Sequence, residues 1–196
     1  MFISCGYLGN NDMKTRVVLN LLGLIFLCLL SAGAVSAEDR LSYWDFGIGG
    51  GQNLDGNPTN QILLIPAYTA RISGSRLLWY RLEGNLELLE GKREGQHKIT
   101  AVVGVAPMLR WYMKETGLSP YVEIGAGGNI VTRNFTINKE SGGFFLFSPS
   151  AGAGIQFTTH GRPISVSLRL RHLSNAHIFP INESMNTLYG IISIGL

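Results

Sequence analysis

The stretch Arg162-Pro-Ile-Ser-Val-Ser-Leu-Arg-Leu-Arg-His-Leu-Ser174 decides the fold of this chain. Apolar side chains occupy the even positions from Ile164 to Leu170, and serines and arginines occupy the odd positions. A period of two predicts a β-strand with one apolar and one polar face. The even positions continue into His172 and Ser174, so the apolar face ends in two chemically active side chains.

The end of the chain, from Asn186 to Leu196, repeats this alternation. Leu188, Gly190, Ile192 and Ile194 again fall on the even positions, and Asn186 is in phase with them. The two stretches predict a hairpin that carries a histidine, a serine and an asparagine at its loop end, on the apolar side.

Eight such runs follow one another after residue 37, and none shows a sustained helical period. They are Leu41–Gly49, Gln61–Ser73, Leu78–Leu89, Lys98–Met113, Ser119–Thr132, Phe144–Thr158, Arg162–Ser174 and Asn186–Leu196. Long connections are predicted after the first, third, fifth and seventh runs, over residues 50–60, 90–97, 133–143 and 175–185. The other connections are short. Together these features predict an all-β fold, an eight-stranded antiparallel transmembrane β-barrel of the outer membrane.

A soluble β-sandwich would also alternate, but the loop rhythm and the even strand count favour the barrel. An eight-stranded barrel has little room for water, so inward-facing charges must pair with one another. A continuous pore is disfavoured for the same reason. The residues predicted to point inward are Arg71, Arg81, Glu83, Glu87, Arg110, Glu123, Arg169 and Arg171.

Residues 1–37 predict a signal peptide. Basic residues precede an apolar run over 17–30, and small residues follow it up to Ala37. Met13 is an alternative start, because the residues before it add nothing that a signal needs. One barrel domain then spans 38–196, and both cysteines of the chain are removed with the signal, so no disulfide stabilises the exported protein.

His172 and Ser174 suggest nucleophilic chemistry. They lie two residues apart on one strand face, close enough for an imidazole to take the serine proton. Polar groups that face lipid are costly, and they are therefore candidates for function. A third group normally fixes the tautomer of such a histidine. The alternative is structural, with His172 anchoring the barrel rim and Ser174 simply beginning a loop.

The motif His172-Leu-Ser-Asn-Ala176, preceded by Leu168-Arg-Leu-Arg171 and followed by Asn182, resembles the lipid A 3-O-deacylase (PagL) family of acyloxyacyl hydrolases. The resemblance covers nearly all of the predicted mature chain. Further stretches that carry it are Tyr43–Gly47, Arg81–Asn85 and Ser119–Gly127.

The resemblance implies an outer-membrane serine esterase that removes the ester-linked 3-O acyl chain of lipid A. It implies Ser174 as the nucleophile, His172 as the base, and Asn182 and Asn175 as donors to the oxyanion. Neither a cofactor nor a metal is expected. The expected partners are lipopolysaccharide and the outer membrane, and a homodimer is left open. The formal net charge of +3, with no basic patch, argues against a nucleic-acid partner.

One departure from the family falls on the chemistry. The resemblance implies a glutamate at the position of Asn186. An asparagine can accept the imidazole N–H, but it cannot stabilise the imidazolium as a carboxylate does. Glu183, in the preceding loop, is the alternative acid. An active enzyme that uses Asn186, an active enzyme that uses Glu183 and a weakened relative all remain open. The alternative function is a non-catalytic barrel that binds lipopolysaccharide or serves a structural role.

Overall fold

The computed structural model describes residues 41–55, 59–93, 96–132, 135–136, 139–140 and 143–196. The predicted signal peptide over 1–37 and the alternative start at Met13 lie outside these residues. No helix long and apolar enough to cross a membrane occurs in the part of the chain that the structure describes.

The described residues form one closed antiparallel barrel and a small two-stranded ribbon. The strands are β1 (Ser42–Asn53), β2 (Asn60–Arg71), β3 (Leu78–Arg93), β4 (Gln96–Tyr112), β5 (Ser119–Val131), β6 (Phe135–Thr136), β7 (Lys139–Glu140), β8 (Phe145–Thr159), β9 (Arg162–Leu173) and β10 (Met185–Gly195). The barrel order is β1-β10-β9-β8-β5-β4-β3-β2, so the first and last strands close it. The prediction of eight antiparallel barrel strands is therefore confirmed.

The connection between β3 and β4 is not the long loop that the sequence predicts over residues 90–97. Instead β3 continues to Arg93, and the ladder with β4 extends to the Arg93–Gln96 pair. These residues are polar at nearly every position, so they show no alternation, although their backbones can still pair. The β6–β7 ribbon, within the predicted loop over 133–143, was also missed.

The outer surface of the barrel is apolar. Large aliphatic side chains point outward along every barrel strand, and leucines, isoleucines and valines are among the most exposed residues of the chain. Trp44 and Trp111 are half exposed or more on this outer face near the short turns, whereas Trp79 packs between the rings of Tyr43 and Tyr112. An apolar exterior with aromatic side chains near one end is the surface of a transmembrane barrel.

The barrel interior is filled by paired charges. Among the described residues, four arginines and four carboxylates are buried. One chain of ion pairs runs Asp45–Arg81–Glu83–Arg169–Glu123–Arg110. A second group joins Arg171 to Glu87, which also accepts a hydrogen bond from Tyr189.

The predicted inward pairing is therefore correct for seven of the eight residues, and Asp45 is added to them. Arg71 is the exception, because it is exposed at the end of β2. Its phase along the strand is inward, but the strand ends there, so its side chain lies at the rim of the barrel.

Two glycines leave room for interior tyrosines. A Cβ atom at Gly51 would lie 2.6 Å from the ring of Tyr189, and one at Gly154 would lie 2.7 Å from the ring of Tyr121. Any larger residue at either position would displace the ring from the barrel interior. These two glycines thus make room in a crowded interior.

Candidate active site

The β9–β10 hairpin places the predicted residues side by side. Asn186 and His172 are direct partners in the antiparallel register, and Leu188 and Leu170 are the next outward-facing pair. All four lie on the outer face of the barrel, and the two leucines are exposed. The polar pair lies at the end of the barrel opposite the start of β1 and the end of β10, immediately above an apolar wall.

His172 and Asn186 are joined by a hydrogen bond. The Nδ1 atom of His172 lies 2.8 Å from Oδ1 of Asn186. Because an amide oxygen can only accept, this contact requires the proton on Nδ1 and leaves the lone pair on Nε2. An imidazole in that tautomer can take a proton from a hydroxyl through Nε2.

Ser174 lies just beyond the end of β9. Its backbone pairs with Phe147 of β8, with the Phe147 amide donating to the Ser174 carbonyl at 2.7 Å and the reverse bond at 3.1 Å. The residue is 9% exposed. Within the described residues no hydrogen bond joins the Ser174 hydroxyl to His172, and such bonds are often long in enzymes without bound substrate.

The loop that follows Ser174 is organised by Asn175, which is fully buried. The Asn175 amide N–H donates to Oδ1 of Asn182 at 2.8 Å, and the Asn175 side-chain NH₂ donates to the Ile181 carbonyl at 2.6 Å. Ala176 and His177 both have positive φ, at 52° and 63°. Asn175 and Asn182, the two predicted oxyanion donors, thus lie together in one tight loop directly after Ser174.

A contact with His177 limits what the Asn182 side chain can donate. The Nδ2 atom of Asn182 lies 3.3 Å from Nδ1 of His177, which leaves one of its two hydrogens for another acceptor. The oxyanion role of both asparagines stays a prediction.

Asp55 also reaches the site, although no pattern in the sequence points to it. Its carboxylate accepts the Asn186 backbone N–H at 2.6 Å. It also accepts from the Asn186 side-chain NH₂ group at 3.0 and 3.1 Å, through its two oxygens. Asn186 therefore lies between a histidine ring and a carboxylate.

The end of β1 explains how Asp55 arrives there. Leu54 extends the β1–β10 ladder by donating to the Asn186 carbonyl at 2.8 Å. The Asn53 side chain then accepts the Asp55 N–H at 2.9 Å, which is an Asx-turn. The turn brings the Asp55 carboxylate to the Asn186 N–H, where a further strand carbonyl would otherwise lie.

Glu183, the alternative acid, is an exposed residue of the loop before β10. The hydrogen bond at His172 Nδ1 is made by Asn186. No group of three or more His, Cys, Asp or Glu side chains suited to a metal ion occurs in the described part of the chain.

An apolar groove runs across the outer surface of the barrel, on the same face as His172 and Asn186. It has a volume of about 630 Å³, and its floor includes Gly50 and Gly190, which are direct partners across β1 and β10. A Cβ atom at either glycine would have nothing within 4 Å. Gly190 lies four residues below Asn186, about 14 Å along the strand. The walls of the groove include Ile48, Ile62, Val166, Leu168 and Ile192.

Aromatic side chains lie near Ser174 on the side of β9 that faces β8. Phe147, its backbone partner, is 37% exposed, and its ring meets that of Phe145 edge to face with centroids 5.1 Å apart. Phe179, from the loop after Ser174, contacts Phe144 with ring centroids 6.4 Å apart. The serine therefore lies between apolar surfaces on the outside of the barrel.

A family model described as "Lipid A 3-O-deacylase (PagL)" matches residues 67–194. The fold is similar to a solved structure described as "Crystal structure of the outer membrane enzyme PagL", with a TM-score of 0.59 and 15% identity over 78% of this chain and 99% of that chain. A second similar structure, "De novo design of transmembrane beta-barrels", has a TM-score of 0.43 and 15% identity over 81% of this chain and 98% of that one. No curated protein matches the sequence.

Proposed function

We propose that Ser174 and His172 carry out the reaction of the family to which this chain belongs, the lipid A 3-O-deacylase (PagL) family. The chain is then an ester hydrolase of the outer membrane that acts on lipid A. The observation that carries the assignment of roles is the 2.8 Å contact between His172 Nδ1 and Asn186 Oδ1, which leaves Nε2 as the base.

In the first half of the reaction, Ser174 Oγ attacks the carbonyl carbon of the 3-O-linked ester and its proton passes to His172 Nε2. The tetrahedral intermediate carries a negative oxygen, for which Asn182 and Asn175 are the proposed donors. Collapse of the intermediate breaks the bond to the sugar oxygen, which takes the proton from His172. The acyl chain is left as an ester of Ser174.

In the second half, water attacks the acyl-enzyme and gives up a proton to His172. Collapse of the second tetrahedral intermediate releases Ser174, whose oxygen takes the proton back from His172, and a free 3-hydroxy fatty acid leaves. The sum is one ester and one water converted into one alcohol and one carboxylic acid. In each half His172 acts first as a base and then as an acid, and Ser174 is the nucleophile of the first half and the leaving group of the second.

The outward position of the site suits a lipid substrate. The acyl chains of lipid A lie in the membrane beside the barrel wall, so the ester reaches Ser174 without leaving the bilayer. We propose that the groove floored by Gly50 and Gly190 accommodates one acyl chain. Its apolar lining and its place below His172 and Asn186 support that proposal.

Mass spectrometry of lipid A from a Gram-negative host tests the reaction. Cells that express the wild-type chain are compared with cells that carry an empty vector, and outer-membrane insertion is checked by the heat-modifiable gel mobility of the folded barrel. We expect the loss of one 3-hydroxyacyl mass, and fragmentation should place the loss at position 3. Intact lipid A beside a folded, inserted barrel would instead favour the non-catalytic alternative.

The groove can be tested by filling it. Gly190→Leu places an apolar side chain in open space on the lipid-facing wall, so the barrel should fold as well as the wild type. We expect deacylation to slow about tenfold, or to shift towards shorter acyl chains, because loss of a few buried methylenes corresponds to about 1–3 kcal/mol.

The matched control for the groove is Val105→Leu. Val105 is 55% exposed on β4, which lies opposite β10 in the barrel order. This substitution should leave both rate and chain-length preference unchanged. Equal activity of Gly190→Leu and wild type on all chain lengths would remove the groove from the substrate site.

A further inference from the structure

The amide group of Asn186 has two faces with opposite hydrogen-bonding needs. The NH₂ side meets the Asp55 carboxylate at 3.0 and 3.1 Å, and the oxygen side meets His172 Nδ1 at 2.8 Å. An ionised carboxylate accepts hydrogen bonds and cannot donate them. Rotating the amide by half a turn would bring its oxygen against two carboxylate oxygens, so Asp55 selects one orientation of Asn186.

That orientation determines the tautomer of His172. With the Asn186 oxygen facing the ring, Nδ1 must carry the proton, and Nε2 is the unprotonated nitrogen. In the opposite orientation the NH₂ group would face Nδ1 and would favour the proton on Nε2, which could not then accept the serine proton. In a serine protease, replacing the carboxylate behind the histidine by an amide cost about 10⁴ in turnover, through the wrong tautomer.

We propose that Asp55 is a positioning residue for the hydrolase, acting on His172 through Asn186. It holds the asparagine amide in the productive orientation. It also supplies the negative charge that Asn186 lacks, although Asn186 lies between this charge and the His172 ring. The relay Asp55–Asn186–His172 takes the place of a single acidic residue. This inference rests on the proposed function, because His172 matters to a rate only if it is the base.

The relay also changes the expected effect of restoring a carboxylate at position 186. Asn186→Glu would put a second carboxylate within hydrogen-bonding distance of Asp55, and two like charges at that distance disfavour each other. Asn186→Glu alone should therefore give no gain. The same substitution combined with Asp55→Asn restores one carboxylate and one amide in reversed order, and activity should recover.

The kinetic test uses folded protein in detergent with purified lipopolysaccharide, and kcat and KM are measured separately. We expect Asp55→Leu to lower kcat about tenfold with little change in KM. A tenfold change corresponds to the lower end of the free-energy range of a hydrogen bond to a charged group. The lower end is expected because Asp55 is exposed to solvent. Asp55→Glu should recover part of the loss. The control is Glu115→Gln. Glu115 is also an exposed carboxylate, but it pairs with Arg76 and lies between β4 and β5, far from Asp55 along the chain.

Whether Asp55→Asn raises or lowers kcat should depend on the residue at position 186. Asp55→Asn should lower kcat in the wild-type background and raise it in the Asn186→Glu background. A purely structural role at the end of β1 would lower activity in both backgrounds. Loss through KM alone, or an effect of the same sign in both backgrounds, would overturn the proposal. So would a loss of kcat in Glu183→Gln with none in Asp55→Leu.

A second readout does not depend on any reaction. Chain labelled with ¹⁵N-histidine is examined by NMR in detergent, and the His172→Gln spectrum identifies the His172 signals. The wild type should show one tautomer protonated on Nδ1, and Asp55→Leu should show a mixture. An unchanged tautomer would overturn the proposal even if the enzyme is active. If lipid A is not cleaved by wild type yet the tautomer shifts, the relay stands and the proposed reaction fails.

Discussion

Ser174→Ala should abolish the loss of the 3-hydroxyacyl chain from lipid A while leaving a folded, inserted barrel. The hydroxyl is the proposed nucleophile, and removing the serine from a triad costs about 10⁶ in turnover in a serine protease. A fall of about 10³ or more is therefore expected here. The barrel should tolerate the change because the hydrogen bonds between Ser174 and Phe147 are made by the backbone.

The measurement for Ser174→Ala combines lipid A mass spectrometry with a fluorophosphonate probe. The probe forms a covalent bond to an activated serine and expels fluoride, so it reports on the Ser174–His172 pair without requiring lipid A. Wild type should be labelled at Ser174 and Ser174→Ala should not. Retained deacylation in a folded Ser174→Ala protein would show that another group performs the attack.

Arg169→Met should strongly destabilise the barrel. Arg169 contacts both Glu83, at 2.6 Å, and Glu123, at 2.7 Å, and all three are buried. Removing the shared arginine leaves two buried carboxylates with one arginine partner each. Breaking a buried ion pair in this way typically costs about 3–5 kcal/mol. The loss of more than one contact places Arg169 at the upper end of that range.

Urea titration of the barrel in lipid vesicles, followed by tryptophan fluorescence and gel mobility, measures the free energy of unfolding. Arg76→Met is the matched control, since Arg76 forms an exposed ion pair with Glu115 at 3.3 Å. Exposed pairs contribute about 0–1 kcal/mol, so the control should be nearly neutral. Equal stability of the two variants would show that the interior charges do not hold the barrel together.

Most of the fold could be predicted because alternation marks every barrel strand except where both faces are polar. The ladder from Glu90 to Arg93 is such a case, since its side chains give no signal of which face is inside. Arg71 illustrates a second limit. Its phase along β2 is inward, but alternation carries no information about depth, and the residue lies at the rim.

The His172, Ser174 and Asn186 positions could be predicted because one hairpin carries them, and a hairpin is local in sequence. Asp55 could not be found in the same way, because it lies 131 residues from Asn186. The carboxylate nearest to Asn186 in sequence is Glu183, in the loop before β10. The barrel order brings the end of β1 to the start of β10, but the register of that closing pair depends on the whole barrel and not on any local pattern.

The closing pair of strands has a consequence for when the enzyme becomes competent. His172 and Asn186 come together as soon as the β9–β10 hairpin forms, whereas Asp55 joins them only when the first strand meets the last. The proposed relay is therefore complete only when β1 pairs with β10. A chain whose first and last strands are still apart lacks the Asp55 contact, so it should reach its full rate only after the barrel has closed.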